Sequence, residues 1–386
     1  MLTSSKGDIY RLPPLDLLTT SQPSDYISEL NDMTLLQANK IVNVFRSLGL
    51  EVELKNVFCG ANITRYDVVP NKNATLGMIM GFKYDLADML GVPPIRVASS
   101  NSSIGIEIPN DTGKIVTLGD VVSSHEFRET KSELPVAIGV DVEGNYIIGD
   151  ISQMPHIIIS GHPGSGKSIC MWSMIMSLLY KLSSDDVKLI LVDPTKVQFN
   201  PFRTIPHLMK PIITDLNESI KVFKEIISEI ERRYRVFSTL GVNNLNSYNE
   251  LAKIDGRADK IPRIVVFIDE LADMILQGGK EVEDNICLIS QMGHIVGIHL
   301  VLATMRSTTD VITENLRANI QSRIAFSVKS RIDSQIVIDE AGAECIYLPG
   351  DMLYKSQGHV EPVRVQGCYT SIKDVKSTVA YIMGQQ

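Results

Sequence analysis

Gly161-His162-Pro163-Gly164-Ser165-Gly166-Lys167-Ser168 fits G-x-x-x-x-G-K-[ST], the pattern of a phosphate-cradling loop. Its flanks are those such a loop requires. The apolar run His156-Ile157-Ile158-Ile159-Ser160 ahead of it predicts a buried strand, and Ile169 to Tyr180, rich in Met, Leu and Ile, predicts a helix. Glycines allow the main chain to wrap an anion with successive N–H groups pointing inward. The following helix adds the positive end of its dipole. Gly161, Gly164, Ser165, Gly166, Lys167, Ser168 and Ile169 are therefore the candidate nucleotide-binding residues. Lys167 is expected to reach the β- and γ-phosphates of ATP, and Ser168 to ligate Mg²⁺.

A second signal lies downstream. Ile264-Val265-Val266-Phe267-Ile268 predicts a buried strand that ends in the adjacent carboxylates Asp269 and Glu270. Beside a phosphate loop, such an aspartate holds Mg²⁺ and the neighbouring glutamate polarises the attacking water. Lys167, Asp269 and Glu270 are thus the candidate catalytic set, with Ser168 and Asp269 toward the metal. A third predicted strand, Ile298 to Thr304, ends beside Met305 and Arg306. Strand ends on one edge of a parallel sheet face the ligand, so Thr304 is a candidate contact to the γ-phosphate. A P-loop kinase for small molecules is the other enzyme class to weigh; the adjacent Asp-Glu pair and the lack of an acceptor-binding lid argue against it.

From about Leu134 onward, β-branched apolar runs alternate with helices: Val187 to Asp193, Glu218 to Leu240, Ile264 to Asp269, Val282 to Val296, Ile298 to Thr304 and Arg323 to Val328. Strands apolar on both faces imply a parallel sheet covered on both sides, an α/β architecture. Along Glu218 to Leu240 the apolar residues share one face, and Glu231-Arg232-Arg233 reads as the solvated side. Ahead of this lies a smaller α+β pattern: a helix near Thr34 to Leu48, strands at Glu51 to Phe58, Ile63 to Val69 and Ile104 to Ile108, a helix near Met78 to Leu90, and a loop at Ser99 to Ser103. Arg11 to Leu18 reads as extended and Thr19 to Ser24 as flexible. The expected division is residues 1–25 as an extended lead, 26–130 as the small domain and 131–386 as the larger one.

The net charge of −8 excludes a protein coated in basic charge, but a basic channel inside an acidic protein remains compatible with nucleic acid. Five scattered cysteines without a C-x-x-C pair suggest reduced thiols and a cytoplasmic setting. No apolar run is long enough for a bilayer, so no membrane contact is expected within these residues.

Further motifs give the chain a family likeness. Leu12-Pro13-Pro14-Leu15-Asp16-Leu17-Leu18, Ile63-Thr64-Arg65-Tyr66, Met154-Pro155-His156, Val192-Asp193-Pro194, Glu231-Arg232-Arg233-Tyr234, Asp269-Glu270-Leu271-Ala272-Asp273, Gly297 to Thr304 and Arg317 to Phe326 occur in order with the phosphate loop among them. In this the chain resembles the FtsK/SpoIIIE family of hexameric double-stranded DNA translocases. The resemblance implies a small α domain stacked on a RecA-like P-loop NTPase domain, a homo-hexameric ring around duplex DNA, and ATP bound between neighbours for chromosome partition or DNA transfer. It puts Arg306, Arg317 and Arg331 near the channel as DNA phosphate contacts. It also exposes departures. His294 stands where the family usually has an arginine directed at the neighbour's ATP, Met305 where it has glutamine, Thr195 where it has lysine, and Gln335 where it has a basic residue. These imply slow or partner-dependent hydrolysis, or a DNA-clamping ring that hydrolyses little. The winged-helix module and membrane region common in the family are not recognised in this sequence.

Overall fold

A computed structural model describes residues 2–3, 9–21, 32–71, 75–100, 103–255, 259–358 and 361–385. The expected start of the small domain near Tyr26, and the reading of residues 22–24 as flexible, lie outside the described residues.

Two short strands, β1 (Leu2–Thr3) and β2 (Ile9–Tyr10), pair antiparallel. The small domain then runs α1 (Asp32–Ser47), β3 (Val52–Cys59), β4 (Ile63–Pro70), α2 (Leu76–Gly81), α3 (Lys83–Leu90), β5 (Arg96–Ser100) and β6 (Ser103–Pro109). Its sheet is antiparallel in the order β3-β4-β6-β5. Ile41 and Phe45, one helical turn apart on α1, meet Tyr66, Val68 and Ile106 from the sheet and Leu86 from α3 in a separate core. Two expectations change here. The helix read across Met78 to Leu90 is two helices meeting at Phe82, whose backbone leaves the helical region. The expected loop at Ser99 to Ser103 is largely strand: Ser99 and Ser100 close β5 and Ser103 opens β6, while Asn101 and Ser102 lie outside the described residues.

The larger unit runs α4 (Leu118–Ser123), α5 (His125–Glu129), β7 (Pro135–Asp141), β8 (Tyr146–Asp150), β9 (His156–Ser160), α6 (Lys167–Lys181), β10 (Val187–Val192), α7 (Leu216–Leu240), α8 (Leu245–Asp255), β11 (Arg263–Ile268), α9 (Leu271–Met292), β12 (Ile298–Thr304), α10 (Glu314–Asn319), β13 (Ser322–Ala325), α11 (Arg331–Ile338), β14 (Asp351–Lys355), β15 (Val363–Gly367) and α12 (Ile372–Met383). Nine strands form one sheet, ordered β10-β11-β12-β9-β13-β14-β15-β7-β8. The first five are parallel, as the apolar runs predicted. The last four extend it antiparallel, a half the sequence reading did not include.

Each parallel strand divides its side chains between two cores. Ile157 and Ile159 of β9 face one with Leu191, Phe267 and Val301; Ile158 faces the other with Ile190, Val266 and Leu300. Packing passes from the small core to the large one between Ile108 and Val116. Residues 116–130, read from sequence as the end of the small domain, contribute Val116, Leu118, Val121 and Phe127 to the large core. Leu18 joins them, and Thr19 donates through N–H and hydroxyl to Asp374. The lead segment is thus bound to the far end of the chain, with one 3₁₀ turn at Leu15–Leu17 inside the stretch expected to be extended.

Two element bounds and one burial also differ from expectation. The helix expected from Val282 is the second of two helical segments of α9, which starts at Leu271 and breaks at a non-helical Gly279 at φ +57°. β13 stops at Ala325, short of Val328. Arg233, read as solvated, is 2% exposed, donating to Glu229 and to the Val296 carbonyl.

Candidate nucleotide site

β9 is buried along its whole length and delivers the loop at the carboxyl edge of the parallel strands. The loop is held from outside by main-chain bonds: His162 N–H donates to Ser327 O at 2.9 Å and Gly350 N–H to Ser165 O at 2.8 Å. Gly166 adopts φ +122°, and a Cβ there would lie 3.0 Å from the Gly350 nitrogen, so this position takes glycine on both counts. α6 starts at the next residue. The first-turn amides of Lys167, Ser168 and Ile169 have no acceptor within their own helix and point out of its N-terminus. The Ser165 hydroxyl is buried with no partner, which a folded chain tolerates where a ligand supplies one. Lys167 is 5% exposed, and its Nζ donates to the carbonyls of Gly161 (2.7 Å) and His162 (3.0 Å) across the loop. Burial pushes its pKa down, against the opposing pull of Glu270 and Asp269. Amides, an orphaned hydroxyl and a buried ammonium together make an anion cradle.

Facing the cradle is an acidic edge. Asp269 follows β11 and is buried; desolvation, then the charges of Asp193 and Glu270, push its carboxyl up to about 7 although Lys167 pulls the other way. A carboxyl in that state gains by an approaching cation. Asp193, after β10, accepts from the Thr195 hydroxyl at 2.6 Å and from Phe199 N–H at 3.0 Å. Glu270 caps α9 by accepting from Ala272 N–H at 3.1 Å. Its carboxylate also accepts from the Thr304 hydroxyl at 2.6 Å and from Met305 N–H at 2.9 Å. Thr304 in turn accepts from Arg306 N–H at 3.1 Å. A carboxylate and a metal-bearing phosphate chain suit each other here: Mg²⁺ usually takes one or two protein oxygens and completes its shell with phosphate and water, so Ser168 and Asp269 are a sufficient protein set.

The sequence-predicted residues therefore separate into groups. Gly161, Gly164, Ser165, Gly166, Lys167, Ser168 and Ile169 form the loop and first helical turn, with Asp269 and Glu270 at the end of β11, separated from β9 by β12. Thr304 is fully buried and its hydroxyl is given to Glu270, so it lies behind the carboxylate. Arg306 and Arg331 are exposed. Arg317 is not free: it donates to Asp339, which Arg323 also holds. His294 is exposed in the turn before β12, at the end of the parallel strands opposite to the loop, and partial burial lowers its pKa. Sequence reasoning missed Gln366 and the cavity of about 420 Å³ that it lines beside the loop, shared by Gly164, Gly166 and Ile169. No motif marks that cavity, because its walls come from six separate stretches of chain.

Comparison with known proteins places these features among relatives. A model of the FtsK/SpoIIIE family matches residues 117–309, and one of the FtsK alpha domain matches residues 12–110. The chain is 41% identical over 384 residues to DNA translocase FtsK of Caldanaerobacter subterraneus subsp. tengcongensis, covering 99% of this chain and 53% of that protein. DNA translocase FtsK of Clostridium tetani is 38% identical over 380 residues, covering 98% and 51%. The chain thus spans about half the length of the curated relatives it matches. Among solved structures, the pCW3 conjugation coupling protein TcpA, in its monomer form with ATPgS, superposes with a TM-score of 0.63 at 20% identity, covering 90% of this chain and 99% of that one. The cytoplasmic domain of the type VII secretion ATPase EccC of Thermomonospora curvata gives 0.57 at 23%, covering 64% and 30%. At these identities the structures speak to the fold, that of P-loop ATPase domains. Among the described residues no helix is long and apolar enough to cross a membrane.

Proposed function

The chain belongs to the FtsK/SpoIIIE family, and on that premise we propose that it is an ATP-driven motor that moves double-stranded DNA as a homo-hexameric ring. The observation that carries this reading is the buried meeting of Lys167 with Asp269 and Glu270 at the carboxyl edge of a parallel sheet, with a strand end leading from there to an exposed arginine.

Bound Mg²⁺ supplies charge neutralisation between the phosphates, and Ser168 and Asp269 are the side chains to hold it. Lys167 moves its ammonium from the Gly161 and His162 carbonyls to phosphate oxygens. Asp269, its carboxyl pushed up to about 7 by burial and its acidic neighbours, would be favoured in its ionised form by a cation held there. Glu270 orients the attacking water. Its present partners, Thr304 and Met305 N–H, hold it to the start of the segment that carries Arg306. A change of grip at Glu270 therefore reaches Arg306 within two residues. Arg331, Arg306 once released from Asp310, and Arg317 once released from Asp339 contact DNA phosphates without reading sequence, so binding weakens steeply with salt.

Two features favour slow or partner-dependent turnover. His294 lies at the opposite end of the strands from its own loop, so it serves only a neighbouring subunit, and its lowered pKa leaves it neutral where an arginine would carry charge. Glu270 must also leave three donors. ATP turnover with and without duplex DNA, alongside Lys167→Ala, tests the proposal. Stimulation by DNA that vanishes in Lys167→Ala is expected. Turnover indifferent to DNA refutes the translocase reading.

A further inference from the structure

The segment that carries Arg306 is gripped from two sides. Residues 305–307 belong to no helix or strand, so bonds to neighbouring elements set their position. Met305 and Arg306 are exposed, whereas Ser307 turns inward and is 8% exposed. One grip is Glu270, which accepts from the Thr304 hydroxyl and from Met305 N–H. The other is Ser160, the last residue of β9 and fully buried. Ser160 lies opposite Thr304 of β12 and Ala325 of β13, and its carbonyl accepts from Phe326 N–H at 2.8 Å. It is therefore fixed between two strands. Its hydroxyl donates to the Thr304 carbonyl at 3.3 Å and stands 2.9 Å from the Ser307 hydroxyl. A carbonyl only accepts, so the Ser160 proton goes to Thr304 and Ser307 gives its own to Ser160. Both hydroxyls are buried, so neither bond is readily exchanged for one to water. The residue after Ser160 is Gly161, where the phosphate loop begins and whose carbonyl holds the Lys167 ammonium at 2.7 Å.

We propose that Ser160 and Ser307 are a positioning pair that ties the root of the phosphate loop to the Arg306 segment and so makes the grip on DNA depend on bound nucleotide. The inference rests on the motor reading above and adds a link that does not pass through Glu270. The two links differ in kind. Glu270 turns to the attacking water, so its hold on Thr304 and Met305 is given up during the cycle. Ser160 has no such task. Its hydroxyl stays on the segment while Lys167 leaves the Gly161 carbonyl for phosphate. A shift at the loop root then moves Ser307, and with it the adjacent Arg306. Each hydroxyl is occupied by the other, so the pair acts through position and not by contact with nucleotide or DNA.

The test reads coupling as the factor by which saturating ATPγS with Mg²⁺ changes the affinity for a fluorescently labelled duplex, measured by anisotropy. In the unmodified protein that factor is expected to be about tenfold or more. Ser307→Ala should reduce it about threefold to tenfold, the worth of one hydrogen bond. Affinity for ATPγS alone and for duplex alone should each stay within about twofold of the unmodified protein. Ser307→Thr, which keeps the hydroxyl, should restore the factor. Ser160→Ala should match Ser307→Ala, and the double variant should lose no more than either. If Ser307→Ala leaves the factor unaltered, or if the two losses multiply in the double variant, the pair is overturned while the motor reading stands. If the unmodified protein binds ATPγS and duplex without coupling between them, the motor reading falls, and this inference with it.

Discussion

Two clusters of buried charge lie close together in this fold and are balanced in opposite ways. Where the small domain meets the sheet, Glu107 lies between Arg96 (2.7 Å) and Arg364 (2.8 Å), and Arg364 closes a fork on Asp351 at 2.6 and 3.1 Å. Every charge there has an opposite partner. Glu107 is pulled below the usual carboxylate range despite its burial, and Arg364 is pushed up. At the phosphate loop the balance fails: Asp193, Asp269 and Glu270 crowd one ammonium, Asp269 is pushed up and Lys167 down. Complete pairing marks a joint built to stay shut. Unmet charge marks a place waiting for an ionic visitor.

Breaking either cluster should therefore have different readouts. The largest effect is expected at the unbalanced one. Lys167→Ala should cut ATP turnover by about a thousandfold or more, and Glu270→Gln by about a hundredfold to a thousandfold, with folding midpoints little changed. Steady-state hydrolysis with urea unfolding of the same samples separates the two quantities.

The balanced cluster should respond in stability. Glu107→Ala leaves two guanidiniums buried without a carboxylate and should cost about 3–5 kcal/mol in urea unfolding. A cost below about 1 kcal/mol would mean that water already reaches the joint.

The contrast also predicts a pH effect with a definite sign. The Asp269 carboxyl titrates near 7 in the folded chain and about 3.9 when unfolded. Between those values the folded chain keeps a proton that the unfolded chain has lost. Stability from this group therefore declines as pH rises across that window, by at most about 1.4 kcal/mol per unit, and levels off above it. Asp269→Asn should abolish that decline in unfolding midpoints recorded from about pH 5 to about pH 8. An unaltered profile would place the titration elsewhere. The smallest effect is expected from His294→Arg, which should raise DNA-stimulated turnover about tenfold by restoring charge toward the neighbouring site; an unchanged rate would show that the position plays no such part.

How far the sequence spoke depended on whether the cause was local. His156 to Ser160 was readable as a strand because every residue of it is buried on a two-sided sheet, and the observed strand has the same ends. The loop followed from its glycines and lysine. The first segment of α9 escaped the reading because Gly278 and Gly279 interrupt the apolar period, and its start is fixed by the Glu270 carboxylate capping Ala272 N–H. Arg233 looked wet because its partners, Glu229 and the carbonyl of Val296, satisfy it only once α7 is packed against the turn before β12. Thr304 was expected to face phosphate; that its hydroxyl is given to Glu270 depends on two strands lying side by side. β15, β7 and β8 carry no motif, and the pairing of the antiparallel half is a matter of tertiary register.

Gly350 N–H donates to Ser165 O, and Gly367 N–H donates to Gly350 O at 2.7 Å, so the cradle is coupled to the antiparallel hairpin through main-chain atoms alone. Alanine scanning would leave this wiring intact at most positions and clash at the glycines, where a Cβ on Gly350 would sit 2.7 Å from the Gln366 nitrogen. A motion passing along it is therefore silent to side-chain genetics. Replacing the Gly350 amide by an ester, which deletes a single donor and adds no bulk, is the perturbation that would make it audible.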